Sequence, residues 1–121
     1  MTMVLVDTSV WISHLRTGNL QLQDLLMEGK VACHPFIIGE LACGNLKNRK
    51  KILSLLEALP KTELAGHEEV LYFIELHQLM SKGLGYIDTH LLASTRLSEI
   101  LLWTLDNNLK DAADELNLSF P

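Results

Sequence analysis

Three short apolar runs govern what this chain can become: Val4-Leu5-Val6, Lys30-Val-Ala-Cys33 and Ile100-Leu-Leu-Trp103. Each is too short for a helix, is rich in strand-forming residues, and is bounded by a turn or breaker residue (Asp7, Pro35, Asp106). Longer stretches at helical spacing lie between them. Leu20–Met27 sets Leu22, Leu25 and Leu26 on one face, and Phe36–Cys43 is apolar at the same period with Gly44 as its stop. Arg49–Leu59 turns Ile52, Leu53, Leu56 and Leu59 inward before Pro60. Glu68–Met80 repeats this with Val70, Ile74, Leu76 and Leu79, then Gly83-Leu-Gly85 breaks the pattern. Tyr86–Leu97 and Asn107–Leu116 complete the helical set, and Leu118-Ser-Phe120 reads as a last short strand. Short strands alternating with helices predict an α/β fold with a parallel sheet covered on both faces. Two or three helices between the second and third strands exceed what a plain doubly wound sheet requires.

At 121 residues the chain is expected to form a single domain over positions 1–121. No apolar run reaches the roughly 18 residues of a membrane-spanning helix. The opening segment has no secretory pattern, and Cys33 and Cys43 form no CxxC pair. A reducing, cytoplasmic location without membrane contact is therefore expected, with both cysteines as small buried hydrophobes.

Charge bears directly on function. The net charge is −5, whereas a simple electrostatic nucleic-acid binder is basic. Most acids read as solvated surface, but four do not. Asp7 and Asp106 end apolar runs, at the sheet edge where α/β proteins bind ligands. Glu40 shares a helical face with Phe36 and Ile37, where a charge is costly unless paired or bound to a cation. Asp88 precedes Leu91 and Leu92 by a turn, within a first helical turn. Each acid alone also reads as a cap, turn or rim residue. Together on one edge they would repel by roughly 4 kcal/mol per pair at 4 Å. Such a group takes up protons or binds a hard divalent cation through oxygen; Mg²⁺ and Mn²⁺ suit it, and no Cys/His spacing suits zinc.

The blocks Val6-Asp7-Thr8-Ser9, Ile38-Gly39-Glu40-Leu41, Asp88-Thr-His-Leu-Leu-Ala93 and Leu102-Trp-Thr-Leu-Asp106 resemble, in order and spacing, the four acidic blocks of the PIN-domain ribonucleases. Length and the block His34-Pro-Phe-Ile-Ile-Gly-Glu40 resemble the VapC-type toxins of toxin–antitoxin pairs. The resemblance implies a PIN-like α/β/α sandwich with a short central parallel sheet, and Mg²⁺- or Mn²⁺-dependent cleavage of RNA. Carried over by position, Asp7, Glu40, Asp88 and Asp106 form the acidic quartet that serves catalysis and metal binding, with Asp7 and Asp88 as the firmest ligands. Ser9 and Thr104 match positions that carry a hydroxyl near the metal. Asn108 stands where many relatives have a further acid, which weakens the hold on a second ion. The resemblance also implies a homodimer and a cognate antitoxin that occludes the site.

The chemistry expected is hydrolysis of a phosphodiester bond by a metal-activated water, without a covalent protein intermediate. Setting the four acids aside leaves the remaining charges within one unit of neutrality. Lys47, Arg49, Lys50 and Lys51 cluster after the Glu40 helix, and Arg16 follows the first block; these are candidate RNA contacts, or else a solvated helix start. Trp11 and Trp103 read as core. His90 is either structural or substrate-facing, and the other histidines lack ligand spacing. Two alternatives compete. Phosphoryl-transfer proteins of receiver or haloacid type also place an Asp after the first strand, but this chain has Thr8 and Ser9 where they need a second acid. A catalytically degenerate module that only binds a partner protein or RNA is the other; the intact quartet argues against it.

Overall fold

The computed structural model describes residues 2–121. Three parallel strands, β1 (Val4–Val6), β2 (Val31–Ala32) and β3 (Leu101–Trp103), form a sheet in the order β2-β1-β3. Val4 pairs with both Val31 and Leu101, and Val6 with Trp103. Every residue of β1 is buried, which explains why its sequence is continuously apolar rather than alternating. Among the described residues seven helices flank the sheet: α1 (Thr8–Thr17), α2 (Leu20–Met27), α3 (Pro35–Ala42), α4 (Arg49–Ala58), α5 (His67–His77), α6 (Tyr86–Leu97) and α7 (Asn107–Glu115). This is the α/β/α arrangement expected.

The core runs through the sheet into the helices. Leu5, Val6, Val10, Leu22, Ile37, Leu91, Leu92 and Leu109 are fully enclosed. Four helices, not two or three, separate β2 from β3. The stretch after Asp7 is itself the helix α1; its two core residues, Val10 and Trp11, are adjacent and leave no visible period. In α5 the inward side chains are Val70 and Phe73, while Leu76 is 57% exposed. Leu76 lies six residues past Val70, off the stripe set by a 3.6-residue turn. Leu118-Ser-Phe120 contributes only a single bridge between Ser119 and Leu102. Cys33 is buried as expected; Cys43 is exposed, because it sits past the end of α3. No helix among the described residues is long and apolar enough to cross a membrane.

Helix polarity follows from this connectivity. α1, α3 and α7 leave the carboxyl ends of β1, β2 and β3, so their N-termini sit at one edge of the sheet. α6 enters β3 from the opposite end, which returns its N-terminus to the same edge. A contact between Phe36 at the start of α3 and His90 in α6, with ring centroids 4.9 Å apart, fixes this approach.

Candidate active site

The strand order reverses at β1, and in open α/β sheets the crevice outside the carboxyl ends at such a point is where ligands bind. Asp7 occupies it. Its backbone N–H donates to Trp103 O at 2.9 Å, tying it to the neighbouring strand end. Asp7 is 7% exposed, and its Oδ2 accepts from Ser9 Oγ at 2.7 Å and Thr104 Oγ1 at 2.8 Å. Ser9 Oγ in turn accepts from Leu105 N, and Thr104 Oγ1 accepts from Asp106 N, both at 3.0 Å. The two hydroxyls thus stitch the end of β1 to the loop after β3. Ser9 and Thr104, singled out from the sequence, both touch Asp7.

The remaining acids stand around this pair. Asp106 caps α7, with Oδ1 accepting from Leu109 N at 3.0 Å. Asp88 lies in the first turn of α6 and accepts from Gly85 N at 2.9 Å. Its pKa is raised, first by burial and then by the charges of Asp7 and Asp106, partly offset by that Gly85 bond. Asp88 therefore senses the charges of both Asp7 and Asp106. Glu40 is joined from a fourth element: its Oε1 accepts from Thr8 Oγ1 at 2.7 Å. Glu40 and Phe36 do share a helical face, but both are exposed, whereas Ile37, Ile38 and Leu41 point into the core. The cost inferred for a charge on that face is thus avoided by exposure.

Among the described residues no three His, Cys, Asp or Glu side chains draw close enough together to hold a metal ion as they stand. The physical reason is local: Asp88 and Asp106 are turned toward helix-terminal N–H groups, Glu40 toward Thr8, and like charges separate. The donor set is nonetheless oxygen only, four carboxylates with two hydroxyls behind them. That chemistry fits Mg²⁺ or Mn²⁺ and not zinc. The N-termini of α1, α3, α6 and α7 at the same edge favour anions there.

The other expected residues are dispersed. Asn108 turns aside: its Nδ2 donates to Gly83 O at 3.5 Å. Gly83 has φ +74°, a conformation that strains any L side chain, and a Cβ there would meet Asn108 Nδ2 at 2.5 Å and push that side chain away. Arg49 is engaged at the end of α3, donating to Ala42 O at 2.5 Å and Gly44 O at 3.2 Å. Arg16 and Lys47 line a cleft of about 600 Å³ together with Glu40, Ile12, Leu15 and Ile52. Lys50 and Lys51 are exposed on α4, outside that cleft's lining.

Histidines missed by spacing form a structural chain beside the acids. His34 caps α3, its Nδ1 accepting from Phe36 N at 2.9 Å, and burial pushes its pKa down to about 4. His90 is buried, and its pKa is lowered first by burial and then by His67. Their signal was contact across elements, which no single-element periodicity carries. Trp11 is core, as read, while Trp103 is half-buried against Phe120.

Residues 4–115 match the family model described as PIN domain. The chain is 44% identical over 114 residues to Ribonuclease VapC32 of Mycobacterium tuberculosis, in strains CDC 1551 / Oshkosh and ATCC 25618 / H37Rv, an overlap that spans 93% of this chain and 92% of the relative. Among solved structures it resembles PAE2754 from Pyrobaculum aerophilum, with a TM-score of 0.62 and 18% identity over 92% of this chain and 79% of that one. It also resembles a chain of FitAB bound to an IR36 DNA fragment, with a TM-score of 0.62 and 19% identity over 93% and 91%. At those identities the two structures speak for the fold alone.

Proposed function

This chain belongs to the PIN-domain family and is of the VapC ribonuclease type, and from that membership we propose that it is a metal-dependent endoribonuclease, the toxin of a toxin–antitoxin pair. Asp7, Glu40, Asp88 and Asp106 are its acidic quartet, residues 1–121 form its one nuclease domain, and the cytoplasm is its location. The observation that carries the reading is the hydroxyl-braced Asp7 at the strand-order reversal, with Asp106 attached through Thr104 and Asp88 sensing both.

Asp7 and Asp88 would hold the ion first, with Glu40 and Asp106 completing its surroundings. Bound there, Mg²⁺ or Mn²⁺ supplies charge neutralisation at the scissile phosphate and lowers the pKa of water. The chain's own groups do the rest. Ser9 and Thr104 keep Asp7 oriented by donating to its Oδ2. Ser9 Oγ is itself committed, donating to Asp7 and accepting from Leu105 N, so it is no free nucleophile. Water is then the attacking group, and no acyl- or phosphoryl-enzyme forms. Helix N-termini favour the approaching phosphate, and Arg16 and Lys47 beside Glu40, with Lys50 and Lys51 further out, meet the flanking backbone. The antitoxin partner covers the quartet, placing a basic side chain among the acids. A second copy of the chain packs on the groove between α5 and α6, where Tyr72, Leu76 and Leu97 are exposed around a cavity of about 630 Å³.

Cleavage of end-labelled single-stranded RNA tests this. The wild type cuts in Mg²⁺ or Mn²⁺, stops with EDTA and recovers on adding metal back. Asp7→Asn and Asp88→Asn lower the rate by about 100-fold or more with an unchanged circular dichroism spectrum. Cleavage indifferent to chelation and to both substitutions overturns the assignment. The second reading, a degenerate module, draws on the spread of the acids; it gains if induced wild type and Asp7→Asn arrest bacterial growth equally.

A further inference from the structure

Two aromatic rings on the rim of the acidic site serve neither the core nor the carboxylates. Phe36 heads α3, one turn before Glu40, and Tyr86 heads α6, two residues before Asp88. Both stand edge-on to the imidazole of His90, at centroid distances of 4.9 and 4.5 Å and interplanar angles of 72° and 88°. His90 is buried and serves as a fixed backstop. His34, buried as well, closes the other side of Phe36 at 5.0 Å. The Tyr86 hydroxyl is hydrogen-bonded to His67 Nδ1 at 2.6 Å. Both rings are thus pinned, yet Phe36 remains 38% and Tyr86 46% exposed. Trp11, at 5% exposed, shows what a core aromatic looks like in this fold.

We infer that Phe36 and Tyr86 form a stacking shelf for an RNA base next to the scissile phosphate. The inference rests on the ribonuclease reading above and adds how the substrate is positioned. A base offers a π-face to any aromatic ring, and a ring already held in place loses little freedom on binding. Stacking of this kind contributes roughly tenfold in affinity per base and selects by stacking strength rather than by hydrogen bonds. A purine is therefore favoured at one position beside the cut. The shelf lies where α3 and α6 begin, so a base resting on it brings its phosphate toward Glu40 and Asp88.

The test uses the full chain with Mg²⁺ and a short randomised single-stranded RNA, followed by sequencing of the cut ends and kinetics on one cleaved member. Tyr86→Leu and Phe36→Leu each raise KM by roughly tenfold, more than they lower kcat, and flatten the purine preference. Tyr86→Phe, which keeps the ring, recovers most of the loss of Tyr86→Leu. In the wild type, 2-aminopurine is quenched at one position relative to the cut and not at the others, a readout independent of whether the leucine variants fold. RNA that the wild type neither cuts nor binds overturns the ribonuclease reading, and the shelf with it. A wild type that cuts RNA, with leucine variants unchanged in KM and base profile or with no position-specific quenching, overturns the shelf alone.

Discussion

Asp7 and His34 show how much a single residue's surroundings decide. Asp7 stood out in the sequence because an acid directly after an apolar strand lies at the edge where α/β sheets bind ligands, and the same logic reached Asp106, although both also cap the helices that follow them. What the sequence could not display was the bracing: Ser9 lies 95 residues from Thr104, and only the fold brings the two hydroxyls to one carboxylate. His34 carried no spacing signal at all, yet its ring both caps α3 and lies buried. Its pKa falls from the ordinary 6.5 to about 4, so between those values the unfolded chain holds a proton that the folded chain refuses. The contribution of His34 to stability is complete above pH 6.5 and declines as the pH drops toward 4, by about 2 kcal/mol at pH 5. Urea unfolding at pH 7.5 and 5 reads this loss. Asparagine caps helices well and does not titrate, so His34→Asn shrinks the pH 5 deficit by that amount.

At the scale of the element, legibility tracked periodicity. α2, α4 and α6 announced themselves through apolar residues three and four apart, and Pro35 at the first turn of α3 is where proline belongs. α1 was hidden because its buried pair is adjacent, and α5 was read with Leu76 inward because a run of apolar residues offers more candidates than one stripe can bury. Terminal residues also serve two purposes here. Asp106 is at once the cap of α7 and a member of the proposed quartet. Asp106→Ala therefore costs about 1 kcal/mol of stability in chemical denaturation, an ordinary cap loss. RNA cleavage by the same variant falls far more than so small a destabilisation of a folded enzyme produces. A variant equally damaged in both assays, or in neither, contradicts the double role.

For the whole molecule, the parallel sheet and its covering helices were foreseeable from strand length and alternation, because short apolar runs buried on both faces fit little else. The surface was not. Tyr72, Leu76 and Leu97 stay exposed beside Glu68, Glu69 and Arg96 on the groove between α5 and α6. That face is the proposed seat of a second copy. Leu76→Glu with Leu97→Glu, both already in solvent, converts a dimer to a monomer in sedimentation while leaving the fold intact by circular dichroism. A double variant that sediments as the wild type does removes that face from the assembly.

The hydroxyl bridge from Thr104 to Asp7 joins residues 97 apart. During translation Asp7 emerges well ahead of Thr104 and waits for β3 to follow before its brace is synthesised. A polypeptide that stops before Thr104 cannot assemble the pair, so on the proposed ribonuclease reading such a fragment is expected to leave RNA uncut. On that reading the braced carboxylate, and with it any cleavage, follows only once β3 and the residue after it have been made.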